Sequence, residues 1–133
     1  MSAIQTNDLV TCIYKTGKYI GEVTDEGPSH FVVKILAVVK HPMQGDLHHP
    51  KQVDVPFFHE RKALAHYERA NIPKQMVKSY EGEVPDYKES LQQAFYHLKE
   101  ELKQEATPFA EKSLLALQSI QKEYELMYRL TFA

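Results

Sequence analysis

The chain has 133 residues, of which 43% are hydrophobic and 26% are charged, with a formal net charge of −2. This composition is typical of a globular protein of one average domain and excludes an intrinsically disordered chain. The small net charge carries no electrostatic signature of a dedicated binder of nucleic acid or of an anionic membrane.

The first part of the chain predicts short β-strands. Branched and aromatic side chains predict strands at residues 9–14, 19–24 and 30–40. A tight turn at 16–18 joins the first two as a hairpin. The third strand ends at Pro42, since proline cannot donate to a ladder.

A polar loop over residues 43–52 leads to a further extended segment at 53–58. The stretch 59–70 permits either a helix or a strand, and we favour a strand there. A single helical turn near 72–74 and a last short strand at 76–80 complete this half. Five short antiparallel strands must close or be covered, and a small SH3-like β-barrel over residues 1–82 satisfies this requirement.

Residues 83–133 change the hydrophobic period from two to about 3.6. Asp86 with Glu89, and Thr107 with Pro108, are typical helix starts. Two apolar stripes follow these starts, at Tyr87, Leu91, Ala94, Phe95, Leu98 and Leu102, and at Ala110, Leu114, Leu117, Ile120, Tyr124, Met127 and Tyr128. A gap of five residues between the helices predicts an antiparallel α-helical hairpin, packed on the barrel or on a partner subunit as a homodimer. The predicted fold class is therefore α+β.

Histidines cluster in the middle of the chain, and the densest group is the segment 46–49 with Asp46, His48 and His49. On an extended chain Asp46 and His48 point the same way, and His41 or His59 could complete a metal site. No pattern typical of a metal centre accompanies them, so loop histidines without a metal are the favoured interpretation. A small metal-dependent enzyme stays open as an alternative.

Nucleophilic catalysis finds no support in the sequence. Cys12 is the only cysteine and falls within a predicted strand, without a basic neighbour to lower its pKa. No serine stands in a nucleophile elbow, and no glycine-rich loop could cradle a phosphate. Residues 9–12 superficially resemble a lipidation signal, but residues 1–8 lack the positive start of a secretory signal. We expect an unmodified buried thiol, no catalytic residues and no cofactor.

A basic aromatic patch is a second candidate feature. Tyr14, Lys15, Lys18, Tyr19 and Lys34 could together line a groove on the barrel, as in barrels that bind nucleic acid. The competing interpretation is cross-strand packing with lysines that protect a sheet edge. A nucleic-acid-binding barrel that acts on expression is therefore the first alternative, although nucleic acid is an unfavoured partner.

Several strings in the sequence together resemble one known family. They are residues 17–23 (GKYIGEV), 33–38 (VKILAV), 41–50 (HPMQGDLHHP), 72–78 (IPKQMVK) and 84–90 (VPDYKES). The chain resembles kinase-associated protein B of spore-forming bacilli along essentially its whole length. This family is described as an accessory of a membrane sensor histidine kinase that feeds the phosphorelay starting sporulation, and is also called a lipoprotein.

The resemblance implies a non-enzymatic, cytoplasmic accessory protein that binds or modulates a sensor histidine kinase or its complex. It implies no catalytic residue and no small-molecule substrate, and contact with the inner face of the membrane only through the kinase. The predicted partner-binding surfaces are the exposed edge of the helical hairpin and the loop 43–50. Within that loop we single out Gln44, Gly45, Asp46, Leu47, His48, His49 and Pro50.

Overall fold

The structure, a computed structural model, describes residues 3–132 and combines one antiparallel sheet with two C-terminal helices. The strands are β1 (Leu9–Tyr14), β2 (Gly17–Glu26), β3 (His30–Lys40), β4 (Arg69–Pro73) and β5 (Val77–Ser79). A 3-10 turn (Lys74–Met76) joins β4 to β5, and helices α1 (Tyr87–Glu105) and α2 (Pro108–Tyr128) follow. The predicted α+β class, with five antiparallel strands and a C-terminal helical hairpin, is confirmed.

The sheet is open, whereas the sequence analysis predicted a closed barrel. The strands run in the order β4-β3-β2-β1-β5, and each neighbouring pair is antiparallel. Among residues 3–132 no ladder connects the outer strands β4 and β5, which are joined only through the 3-10 turn. Both edges are short, five residues in β4 and three in β5, and Pro73 ends β4. Short edges and a proline limit pairing with another chain, so closure is not needed for protection.

The turn between β1 and β2 lies one residue earlier than predicted. Its two central residues, Lys15 and Thr16, both have positive φ, at 46° and 71°, while Gly17 already pairs with Tyr14 in the ladder. A two-residue hairpin loop needs this left-handed backbone to match the twist of the strands. The Thr16 hydroxyl accepts a hydrogen bond from the Met43 N–H at 2.9 Å, which ties the turn to the loop after β3.

Irregular pairing bends the sheet in its middle. The register between β2 and β3 shifts at three places, one of them between Ile20 and Gly21. At Gly21 a Cβ atom would lie 2.6 Å from the Lys34 carbonyl oxygen, so only glycine allows this close approach of the two strands. Local bulges of this kind increase bend and twist, and they fold β2 and β3 around the core.

The strand predicted over residues 59–70 forms only at its end, where β4 begins at Arg69, and the predicted extended segment 53–58 lies outside the sheet. Strand pairing resumes only at Tyr67, whose N–H donates to the Ile35 carbonyl at 2.8 Å, and β4 continues it. In the preceding segment the N–H groups of Arg61 and Ala63 donate to the side chains of Gln44 and Tyr124. Because side chains satisfy this backbone, the segment needs no ladder, and its local propensity for a strand is overridden.

Both helix starts form as predicted. An Asp86 carboxylate oxygen accepts from the Glu89 N–H at 3.2 Å, and the Thr107 hydroxyl accepts from the Ala110 N–H at 3.1 Å. Ala106 ends α1 in the left-handed conformation, with φ 52°. The connection between the helices is therefore two residues, shorter than the predicted five. A connection this short forces α1 and α2 to run antiparallel.

One hydrophobic core joins the sheet to the helices. All six residues of the predicted α1 stripe are buried, and α1 packs against β3. The Val38 N–H donates to the buried Ser90 hydroxyl at 2.9 Å, which fixes the helix on the strand. The predicted α2 stripe is less completely buried, since Met127 is 54% exposed. The sheet itself thus covers the apolar faces of the helical hairpin.

Candidate functional site

We call the loop 43–50, which was predicted to bind a partner, the docking loop. Its first singled-out residue, Gln44, is buried. Gln44 is 3% exposed, and its amide pairs with the backbone of Arg61 in both directions. The Arg61 N–H donates to Gln44 Oε1 at 2.7 Å, and Gln44 Nε2 donates to the Arg61 carbonyl at 2.9 Å. A buried amide with satisfied donors and acceptor is a structural anchor. Gln44 therefore fixes the base of the loop and is not available to a partner.

Arg61 holds the same loop through its guanidinium. Nη1 donates to the carbonyl oxygens of Met43, at 2.8 Å, and Gly45, at 3.3 Å. Partial burial lowers the pKa of Arg61, and the charge of Asp46 opposes that shift. Gly45 has φ +99° and donates its N–H to the His59 carbonyl at 2.9 Å. This left-handed position favours glycine, so Gly45 is also a structural residue of the loop base.

Asp46 organises the tip of the loop. Its carboxylate accepts from the His48 N–H at 2.9 Å and lies 3.1 Å from Nδ1 of His49. These contacts, the backbone N–H first, lower the pKa of Asp46. A carboxylate that bonds the backbone two residues ahead is a common way to stabilise a turn. The tip that it supports consists of His48, His49 and Pro50, which are all exposed.

The seven singled-out residues thus divide into two groups. Gln44 and Gly45 are buried at the base, and Asp46 and Leu47 are half-buried. Only His48, His49 and Pro50 present most of their surface to solvent. The loop is a rigid support that displays a three-residue tip.

The chain beyond the tip lies against the turn between the helices. The Lys51 ammonium is 3.4 Å from a Glu105 carboxylate oxygen at the end of α1. The Phe58 ring lies 5.9 Å from the Phe109 ring at the start of α2. These contacts place the loop tip and the turn of the helical hairpin at the same end of the molecule.

A groove runs between α1 and α2 on the side away from the sheet. We call it the hairpin groove. Its lining includes the apolar side chains of Phe95, Leu114, Leu115 and Leu117, with Lys99 between them. The half near the α1–α2 turn has a volume of about 370 Å³. Leu115 is 67% exposed there, whereas Phe95 and Leu117 are 1% exposed.

The C-terminal segment lines the other half of the hairpin groove. Arg129, with φ 54°, ends α2 and turns the chain back over α1. Gln92 Nε2 donates to the Thr131 carbonyl at 3.2 Å, and the Phe132 ring lies 5.0 Å from the Phe95 ring. This half keeps a volume of about 360 Å³, so the C-terminal segment forms one wall of the groove and does not fill it.

The histidine cluster does not form the metal site considered above. His41 is fully buried and bonds the Pro42 carbonyl and the Tyr124 hydroxyl, far from the loop tip. His59 stacks on Phe57 at the surface. Within residues 3–132 no three side chains of His, Cys, Asp or Glu come together in a group that could hold a metal ion. The sequence placed these residues near one another along the chain, but the fold separates them.

The structure brings part of the basic aromatic patch together. Tyr14, Lys15 and Tyr19 line one pocket of about 500 Å³ with Arg61 and Lys62. Tyr19 is 1% exposed, and its hydroxyl accepts from the Leu64 N–H. Lys34 pairs with Glu22 at 3.4 Å and lies over the Tyr67 ring. Lys15 lies over the Tyr14 ring at the hairpin turn. Tyr14, Lys15 and Tyr19 thus share a pocket, whereas Lys34 is engaged in a cross-strand ion pair.

Cys12 lies in the core, paired with Tyr19 on one side and Val77 on the other. It is 1% exposed, and burial raises its pKa to about 12. A thiol in this state is a poor nucleophile. No helix in the described part of the chain combines the length and hydrophobicity needed to cross a bilayer.

Arg61 and Tyr124 have structural roles at the loop base that the sequence analysis did not identify. Arg61 lies in a stretch that was assigned to a strand, and Tyr124 was only one of seven residues in a stripe. The period of the α2 stripe could have marked Tyr124 as buried, but no pattern in the sequence links it to His41. Their partners are distant in sequence and become neighbours only in the folded chain.

Comparisons with known proteins agree with this architecture. The model of a family described as kinase associated protein B matches residues 14–125. The kinase-associated lipoprotein B of Bacillus subtilis (strain 168) is 55% identical over 124 residues, which is 93% of this chain and 97% of that protein. The crystal structure of kinase-associated protein B from Bacillus cereus superposes with a TM-score of 0.79 and 47% identity, and covers 92% of this chain and 99% of that one. The chain belongs to the kinase-associated protein B family.

Proposed function

We propose that the protein is a non-enzymatic accessory that binds a sensor histidine kinase, or its complex, and raises signalling into the sporulation phosphorelay. The observation that carries the proposal is the match to the kinase-associated protein B family over residues 14–125. A relative with that name is 55% identical over nearly its whole length. The proposal places the protein in the cytoplasm, at the inner face of the membrane while it is bound to the kinase.

The geometry of the loop supports a docking role. Gln44 and Arg61 hold the base with hydrogen bonds of 2.7–2.9 Å, and Asp46 orders the tip. A surface that is already ordered loses little conformational entropy when it binds. His48, His49 and Pro50 are therefore the residues of this loop that we expect to contact the kinase.

An accessory protein of this kind acts through a difference in affinity. It can shift a kinase toward its active arrangement only by binding that arrangement more tightly than the inactive one. A difference of about 1–3 kcal/mol changes the population ratio by roughly five- to 150-fold. No catalytic group is needed for such an effect.

The test measures autophosphorylation of the purified sporulation sensor kinase with and without this protein, and co-purification of the two. We expect faster autophosphorylation and a stable complex. A double variant, His48→Ala with His49→Ala, should weaken both effects. His30→Ala is the control, since His30 begins β3 and lies outside both the loop and the helical hairpin. Unchanged rates together with no co-purification would refute the proposal.

A further inference from the structure

We propose that the face of the sheet turned away from the helices lies against the anionic headgroups of a lipid bilayer. This inference goes beyond the proposed function, because the contact that it describes forms without the kinase. We call this surface the basic face. It consists of three cross-strand rows of outward side chains: Arg69, Lys34, Glu22 and Leu9; Ile20, Thr11 and Lys78; and Lys40, Lys18 and Ile13.

The register of the ladders puts these ten side chains on one face. Residues directly opposite each other in neighbouring strands point the same way, and successive residues of one strand point to opposite faces. In β1 the buried Val10 and Cys12 point into the core, so the three residues that alternate with them point outward. Their partners in β2 and β5, and the next partners in β3 and β4, share this direction. The ion pair of Lys34 with Glu22, at 3.4 Å, agrees with this assignment.

The basic face concentrates positive charge on an acidic protein. Its ten residues include five cations and one acid, a net charge of +4, whereas the formal net charge of the whole chain is −2. The other acids of β2, Asp25 and Glu26, lie at the end of the strand far from Lys18, and Glu26 pairs with Lys74. Residues 81–133, which form the helical half, carry ten acids and six cations. The protein is therefore polarised, and its positive side can face an anionic surface while its acidic helices face away from it.

Lys18 and Lys40 form a like-charge pair that the fold itself does not explain. They are direct cross-strand partners, and within residues 3–132 neither belongs to an ion pair. Like charges directly opposite each other destabilise a sheet. Lysines often protect the edge of a sheet, but β2 and β3 are interior strands. An anionic partner that neutralises both lysines accounts for the pair.

The texture of the basic face favours a bilayer over other anionic partners. Among its ten residues only Lys40 lines one of the five surface cavities of about 320–590 Å³, so these cavities offer no groove for a peptide on this face. None of the ten residues is aromatic, whereas single-stranded nucleic acid stacks its bases on aromatic rings. Ile13, opposite Lys18, is 46% exposed. Lysines around an exposed aliphatic side chain suit the boundary between headgroups and acyl chains.

The docking loop lies at the rim of the basic face. It begins three residues after Lys40, and its Met43 N–H donates to the hydroxyl of Thr16, two residues before Lys18, at 2.9 Å. A protein bound through the basic face would therefore hold the docking loop close to the bilayer. That is where the loop would meet a kinase that is anchored in the same membrane.

The test is cosedimentation of the purified full chain with lipid vesicles. One set contains equal parts of phosphatidylcholine and phosphatidylglycerol, and the other contains phosphatidylcholine alone. We expect binding only to the anionic vesicles, and a strong loss of binding in high salt, because salt screens exposed charges. Lys18→Gln with Lys40→Gln should weaken binding by about 25-fold, since each cation near an anionic bilayer contributes about fivefold in affinity.

The matched control is Lys88→Gln with Lys122→Gln. Both lysines are exposed on the helices, so this double variant changes the net charge equally but leaves the basic face intact. It should bind like the parent protein. Urea unfolding gives a second readout, because the Lys18 and Lys40 double variant loses a repulsion and should be at least as stable as the parent. Weaker binding by that variant then cannot result from unfolding.

Four results would overturn the inference. Absence of vesicle binding, or equal binding to both vesicle types, would refute the contact and leave the proposed function standing, since the assay contains no kinase. Equal losses in the two double variants would show that net charge alone governs binding. Tighter binding to a mixed-sequence DNA duplex than to anionic vesicles at the same salt would assign the basic face to nucleic acid. Absence of vesicle binding, together with weaker kinase binding by the Lys18 and Lys40 double variant, would assign it to an acidic surface of the kinase.

Discussion

His41 at the end of β3 and Tyr124 in α2 lie 83 positions apart and form a buried hydrogen bond, with 2.8 Å between Nε2 and the hydroxyl oxygen. His41 Nδ1 lies 2.9 Å from the Pro42 carbonyl, which can only accept, so Nδ1 carries the proton and Nε2 is the acceptor. The Tyr124 hydroxyl therefore donates to His41 while its oxygen accepts from the Ala63 N–H at 2.8 Å. This network joins the sheet, the segment before β4 and α2 at the base of the docking loop.

Replacing Tyr124 with Phe should destabilise the fold. The change leaves His41 Nε2 and the Ala63 N–H buried without a partner, and each such group costs about 1–3 kcal/mol. The free energy of unfolding, measured by urea denaturation, should fall accordingly. Tyr96→Phe is the control, since Tyr96 is 54% exposed, and should have almost no effect. Equal stability of the two variants would contradict the hydrogen-bond assignment.

Stability should depend on pH through His41. Burial lowers the pKa of His41 from 6.5 to about 4. The stability that this lowered pKa provides is fully present above pH 6.5. It is lost as the pH falls toward 4, because in that range only the unfolded chain binds the proton. The slope is about 1.4 kcal/mol per pH unit and the total roughly 3 kcal/mol.

The measurement compares the urea unfolding of the parent protein and of His41→Gln between pH 7.5 and 4.5. The variant should lose less stability on acidification than the parent, because it lacks the imidazole. Some loss remains in both proteins, since both keep their carboxylates. Ser119→Ala, a change of an exposed residue that does not titrate, should retain the parent's pH dependence. A parallel pH profile for His41→Gln would contradict the buried neutral imidazole.

Replacing Arg61 with Ala should loosen the base of the docking loop without unfolding the protein. The variant loses the bonds from Nη1 to the Met43 and Gly45 carbonyls, a loss of about 1–2 kcal/mol at a half-buried site. Amide hydrogen exchange at Gly45 should accelerate, because its bond to the His59 carbonyl opens more often. Lys62→Ala, which removes an exposed ion pair with Glu123, should leave Gly45 exchange unchanged.

Replacing Ser113 with Ala should stabilise the protein. The Ser113 hydroxyl is buried in α2 and is the one buried side-chain polar atom of residues 3–132 that lacks a hydrogen-bond partner. A buried hydroxyl without a partner costs free energy because it has lost its hydrogen bonds to water. Removing it ends this cost and raises helix propensity, for a gain of about 1 kcal/mol in the free energy of unfolding. Ser119→Ala, on the exposed face of α2, should give only the propensity gain. A loss of stability in Ser113→Ala would show that the hydroxyl has a partner after all.

Local signals in the sequence were sufficient to predict those elements whose structure depends on residues close together in the chain. Strand β3, the capped starts of α1 and α2, and the buried α1 stripe all follow from side-chain period and from caps that act within four residues. The family could be predicted for a similar reason, since the strings at residues 41–50 and 72–78 lie in the sequence itself.

Long-range contacts decided the rest. Most of the strand expected over residues 59–70 is replaced by a segment whose backbone bonds Gln44 and Tyr124, and no local pattern encodes partners 17 or 61 positions away. The same contacts divide the docking loop into a fixed base and an exposed tip. The C-terminal segment likewise meets α1 only in the folded chain, where Gln92 bonds the Thr131 carbonyl. The sequence by itself determined most of the elements and the family, because these depend on short-range pattern. Only the tertiary structure decided which side chains stay exposed, because burial depends on what the rest of the chain covers.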